Sequence, residues 1–131
     1  MRGALTLLLL VVCGCSHEGP RRIVPELVDE AGVRTYFHPD GAKKRSGAFS
    51  NGHEEGEWTE WYGNGKPSAA GSYVHSARVG RWTFWWPNGL RFSEGEYVDG
   101  APHGVWARFH EDGTPDELTP YDHGQRVGQP R

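Results

Sequence analysis

The sequence predicts an all-β protein, an elongated antiparallel meander of four 24-residue β-hairpins. Three observations predict it. Glycine recurs at residues 32, 56, 80, 104 and 128, and again at 41, 65, 89 and 113, where Asp or Asn always precedes it. Aromatic residues keep the same phase, in the columns Trp58/Trp82/Trp106, Phe37/Trp61/Trp85/Phe109 and Phe49/Tyr73/Tyr97/Tyr121. The apolar complement is aromatic: from residue 32 onward 16 Phe, Trp and Tyr stand against eight Leu, Ile and Val. So few aliphatics exclude a Leu-rich helical bundle, and six tryptophans argue against a disordered chain. A length of 131 residues leaves no room for a large enzyme core.

The first element is a leader. Met1-Arg2 is a short positive end, and Ala4 to Val12 is an apolar run too short to span a bilayer comfortably, so residues 1–14 read as a signal peptide. The segment Val12-Cys13-Gly14-Cys15 resembles a bacterial lipobox, with the small Gly14 directly before Cys15. That resemblance implies cleavage before Cys15, lipidation of its thiol with diacylglycerol and a further acyl chain such as palmitate on the new N-terminus. Several acyl chains at about 0.8 kcal/mol per buried CH₂ anchor a protein stably. The protein is then held in the cell envelope, on the outer membrane facing periplasm or surface if the host has two membranes, since Ser16 rather than Asp follows Cys15. Cleavage removes Cys13, so the mature chain would carry a single cysteine and no disulfide. It would also remove Arg2, leaving 13 basic and 17 acidic residues. Such an acidic body offers no electrostatic footprint for nucleic acid. Residues 15–31 form the lipidated N-terminus and a tether, and 128–131 a tail.

The repeat domain covers 32–127 in four copies, 32–55, 56–79, 80–103 and 104–127, of which the first and last are degenerate, as end caps often are. Asn-Gly or Asp-Gly between two aromatic runs is a hairpin cue, because a type I′ turn needs positive φ at both central residues. A two-residue turn at Asn64-Gly65 sets Trp58 opposite Gly71 and Gly56 opposite Tyr73. In the next copy Trp82 falls opposite Gly95 and Gly80 opposite Tyr97. Each large ring would then cover a strand glycine within its own hairpin. Trp58, Trp82, Trp106, Tyr73 and Tyr97, with Gly71 and Gly95, are therefore the structural repeat positions. The glycine column of 47, 71 and 95 lapses at Thr119. Strand alternation points Trp61 and Trp85 to the other face, where Trp85 would meet Phe92.

The run Gly56-Glu57-Trp58-Thr59-Glu60-Trp61-Tyr62-Gly63-Asn64-Gly65, followed by Gly71-Ser72-Tyr73, resembles the MORN repeat, in its bacterial variant subtype with a W-x-x-(W/Y)-Y-x-N-G core. Arg81-Trp82 through Gly89 and Val105-Trp106 through Gly113 repeat the match. The resemblance implies rows of β-hairpins used as scaffolds, protein-docking surfaces or membrane-associated modules, and the subtype often carries an antitoxin-like label. A neutralising role would demand a toxin in the same compartment as the lipobox sends this chain.

No catalytic set emerges. Ser46, Ser50, Ser68, Ser72, Ser76 and Ser93 lie in repeat or turn positions without a nucleophile-elbow motif. The glutamates read as solvent-facing, and the glycines form no phosphate-cradling loop. Of seven histidines, His38/His110 and His75/His123 share columns but skip the intervening copies, while His53 and His103 stand alone and His17 lies in the tether. They read as surface residues, with no metal and no cofactor expected. The candidate interaction surface is the aromatic set Trp61, Trp85, Trp86 and Phe109, for a protein partner or, alternatively, for carbohydrate such as peptidoglycan.

Overall fold

The computed structural model describes residues 27–28 and 31–128. The leader, Cys15, most of the tether and the last three residues lie outside them. Among the described residues ten strands form one antiparallel sheet in simple chain order. They are β1 (Leu27–Val28), β2 (Val33–Phe37), β3 (Lys43–Ser50), β4 (His53–Trp61), β5 (Pro67–Val74), β6 (Ala77–Trp85), β7 (Arg91–Val98), β8 (Ala101–Phe109), β9 (Pro115–Asp122) and β10 (Gln125–Arg126). The eight expected strands are all present. The short β1 and β10 extend the sheet at its two edges.

The expected register holds, with Trp58 paired to Gly71, Gly56 to Tyr73, Trp82 to Gly95 and Gly80 to Tyr97. The turn chemistry behind it differs. At Asn64-Gly65 only the glycine has positive φ (83°), and Gly65 N–H closes a turn on the Tyr62 carbonyl at 3.0 Å. The loop is one residue longer than a type I′ turn. A register shift between Glu60 and Trp61 leaves Ser68 as the extra residue of β5 and restores the pairing beyond it. Shifts at the same repeat position occur in β2–β3, β6–β7 and β8–β9, so the extra residue recurs every 24 positions. Asn64 serves this loop as an Asx turn, accepting the Lys66 N–H at 2.9 Å, and Asp40, Asn88 and Asp112 do likewise.

The two-residue turns with both φ positive lie instead in the connection that ends each copy, at Asn51-Gly52, His75-Ser76, Asp99-Gly100 and His123-Gly124. Two of the four are Asn-Gly or Asp-Gly, so the cue identified the right turn type at the wrong end of the sheet.

The core is a row of rings on one face. Trp58 and Trp82 are 1% and 0% exposed, although the sheet has a single layer. Each tryptophan ring lies over a glycine of the preceding copy: Trp58 over Gly47, Trp82 over Gly71 and Trp106 over Gly95. This corrects the expectation that each ring covers a glycine of its own hairpin. Each indole N–H donates to the carbonyl just beyond that glycine, Trp58 to Ala48 (2.8 Å), Trp82 to Ser72 (3.1 Å) and Trp106 to Glu96 (3.1 Å). Tyr73 packs edge-on between Trp58 (6.2 Å) and Trp82 (5.0 Å), and Tyr97 between Trp82 (6.2 Å) and Trp106 (5.0 Å). Arg45 and Arg78 lay their guanidiniums 4.5 Å over Trp58 and Trp82 and close the outer side.

Thr119 now has a physical reading. Among the described residues no later tryptophan covers it, so a side chain fits, and Arg126 donates to its hydroxyl at 3.0 Å. The column Gly56, Gly80 and Gly104 has a different cause from the one expected. No atom lies within 4 Å of a Cβ built on Gly80 or Gly104. Their φ of 64° and 73°, where the chain passes a register shift, is what favours glycine.

Candidate docking surface

Alternation from the buried tryptophans carries Phe37, Trp61, Trp85 and Phe109 to the opposite face, where all four rings are half-buried. Their backbone is fixed from the neighbouring copy. His38 Nε2 bonds the Trp61 carbonyl (3.0 Å), Tyr62 Oη donates to that of Trp85 (2.6 Å), and Trp86 Nε1 to that of Phe109 (3.1 Å). A carbonyl only accepts, so His38 carries its proton on Nε2. Three different side chains at one repeat position thus perform one task. They hold the aromatic stripe at constant spacing from copy to copy.

Trp86 belongs to that latch. Its ring packs edge-on against Phe92 at 4.5 Å, so Phe92 meets Trp86 where Trp85 was expected. Phe92 is the extra residue of a register shift, which turns it away from strict alternation. Trp61, Trp85 and Phe109 remain as the stripe, and the guanidinium of Arg91 covers Phe109 at 4.8 Å.

Sequence reasoning missed the continuation of this face. Val105 pairs with Pro120 and Ala107 with Leu118, on the side of the sheet that Phe109 occupies. Val105 is 62% exposed and Leu118 is 71% exposed. Both appear in the sequence only as scarce aliphatics; the signal available was the alternation of Val105 with Phe109 along β8, and for Leu118 its place opposite Ala107.

A charged cluster occupies the middle of the same face. Burial disfavours ionisation of Glu94, yet Arg81 at 3.1 Å and Arg91 at 2.9 Å outweigh it and hold its carboxyl below the usual range. At the edge formed by the tight turns, the Ser76 hydroxyl, ahead of Arg45 at 3.2 Å, lowers Glu54 in the same sense. A carboxyl lowered in the folded state stabilises above its unfolded pKa of about 4.3, and that contribution is lost as pH falls through the lower folded value. The melting temperature should therefore fall on acidification from about pH 5 to about pH 3, and fall less in Glu94→Gln, which has no charge to lose. Thermal unfolding followed by circular dichroism at both pH values tests this; an identical drop in wild type and variant would refute it.

The histidines are not all apart. His103 and His123, assigned to unrelated positions by the 24-residue columns, have ring centroids 4.8 Å apart, and His53 and His75 are 5.8 Å apart. Stacked turns bring together residues 20 and 22 positions apart, an offset that columns do not compare.

The MORN repeat variant family matches residues 54–75 and 102–123. No curated protein matches the chain. Each matched segment contains one strand, the three-residue loop and the returning strand, β4–β5 in the first case and β8–β9 in the second. The segments start 48 residues apart, two periods of the array, and carry the same ring-over-glycine and Asx-turn chemistry. By these two matches and its meander of hairpins, the chain resembles MORN-repeat proteins of the variant type.

Proposed function

We propose that this is a lipid-anchored, non-catalytic envelope protein that offers its β-repeat face to a protein partner. The observation that carries the reading is the face opposite the tryptophan core. There the half-buried rings of Trp61, Trp85 and Phe109 continue into exposed Val105 and Leu118, around the fixed charges of Arg81, Arg91 and Glu94. Branched aliphatics beside rings suit an apolar protein surface better than a sugar, which stacks on flat, open rings. Partly exposed rings with a fixed backbone lose little freedom on docking. Anchoring rests on the leader and on Cys15, which would place the domain at the membrane without a basic face.

Crosslinking in the native envelope, followed by mass spectrometry, tests the reading with the full chain. Wild type should yield a discrete protein adduct. Trp85→Ala and Leu118→Ala should each reduce it about tenfold, the effect of losing roughly 1.4 kcal/mol at a central contact. Cys15→Ser should move the protein out of the membrane fraction. Undiminished adduct in both surface variants would remove the docking face, and retention of Cys15→Ser in the membrane would remove the lipid anchor.

A further inference from the structure

We propose that His103, Asp122 and His123 bind one divalent transition-metal ion of the zinc class. The three come from paired elements at the end of the array. His103 lies on β8, Asp122 ends β9, and His123 opens the tight turn into β10 with φ of 44°. The turn is pinned to the start of β8 by the Gly124 N–H on the Pro102 carbonyl at 2.8 Å. Asp122 Oδ1 stands 2.6 Å from His123 Nδ1 and 3.6 Å from His103 Nδ1. All three ligand atoms lie within 4.8 Å of one another.

Tetrahedral zinc, with bonds of about 2.0–2.2 Å to nitrogen and oxygen, needs ligand atoms roughly 3.3 Å apart. Small rotations of exposed side chains close the remaining gap, with water in the fourth position. Two imidazoles and one carboxylate suit zinc, copper or nickel, whereas calcium and magnesium prefer oxygen ligands.

Among the described residues the other histidine positions do not offer this. At the equivalent turn two copies earlier, Glu55 and His75 are 3.3 Å apart, but Val74 stands where Asp122 does. His110 meets Asp116 at 3.5 Å, but Arg108 already holds that carboxylate at 2.6 Å. The cluster belongs to the last turn among the described residues, the one that joins β9 to β10. A bound ion would tie those strands to β8 and act as the array's closing staple.

Calorimetric titration of zinc chloride into the full chain, stripped with chelator and held in detergent, is the test. One equivalent should bind, and the melting temperature should rise with it. His103→Ala and His123→Ala should each weaken binding about tenfold or more and abolish the thermal shift. His75→Ala and His110→Ala should leave both unchanged, and magnesium should give no response. All four sites are partly or fully exposed, and near-ultraviolet circular dichroism of the buried tryptophans verifies that each variant is folded. Binding that survives in His103→Ala and His123→Ala, or no stoichiometric binding in wild type, overturns the proposal.

Discussion

Gly71→Ala should destabilise the domain by about 3 kcal/mol, the upper part of the range for overpacking, and lower its melting temperature by about 15 °C. The methyl group would enter the space held by the Trp82 ring. That ring cannot retreat. Its N–H is bonded to the Ser72 carbonyl, Tyr73 packs on its edge at 5.0 Å, and Arg78 covers its outer face at 4.5 Å. Gly80→Ala is the matched control. It meets no atom within 4 Å and suffers only from its φ of 64°, a cost of about 1 kcal/mol. Urea unfolding of both variants decides the matter. Equal losses would mean that backbone conformation, and not the nested ring, is what the glycine columns serve.

That pair of substitutions also marks how far the sequence could be read. The period, the strand pairing and the identity of the buried tryptophans were legible, because a ring that must lie flat on backbone leaves a glycine at fixed distance in the chain. Which copy supplies the ring was not. Trp58 and Trp82 are equally compatible with Gly71 by spacing, one across the hairpin and the other across the copy boundary. Asn64-Gly65 likewise suits a type I′ turn or a longer loop, and Ser68, the residue that absorbs the difference, has no distinguishing chemistry. Asn64 and Asn88 further donate Nδ2–H to the Pro87 and Glu111 carbonyls of the next loop (2.9 and 2.7 Å). Among the described residues Asp112 has no following loop to reach, so an acceptor alone suffices there. On the docking face the aromatic stripe was legible from its phase. Val105 and Leu118 were not, because Val105 takes the repeat position of Glu57 and Arg81, and Leu118 that of Ala70 and Glu94, columns with no apolar phase to read.

Trp82→Ala should cost about 4 kcal/mol, within the range for emptying a buried aromatic site, and should break the array into two weakly coupled halves. Trp82 contacts Tyr97 on the facing strand of its own copy, stacks on Phe84 at 5.9 Å, and packs on Tyr73 and covers Gly71, both of the copy before. Its removal opens a void at the one boundary with two full copies on either side. In a linear array stability is a sum of copy and boundary contributions, so a weakened boundary reduces cooperativity as well as total stability. Unfolding should become broader, or biphasic, with a reduced dependence on urea concentration. Trp106→Ala should cost less, about 2–3 kcal/mol, because its ring is already 9% exposed and the boundary it covers has, among the described residues, only its own copy on the far side. Trp82→Phe separates volume from hydrogen bonding: it refills most of the void but leaves the Ser72 carbonyl unpaired, a loss of about 1–2 kcal/mol. If Trp82→Ala and Trp106→Ala lower stability equally and both unfold in one sharp transition, the sheet is a single cooperative block, and position along the array carries no energetic weight.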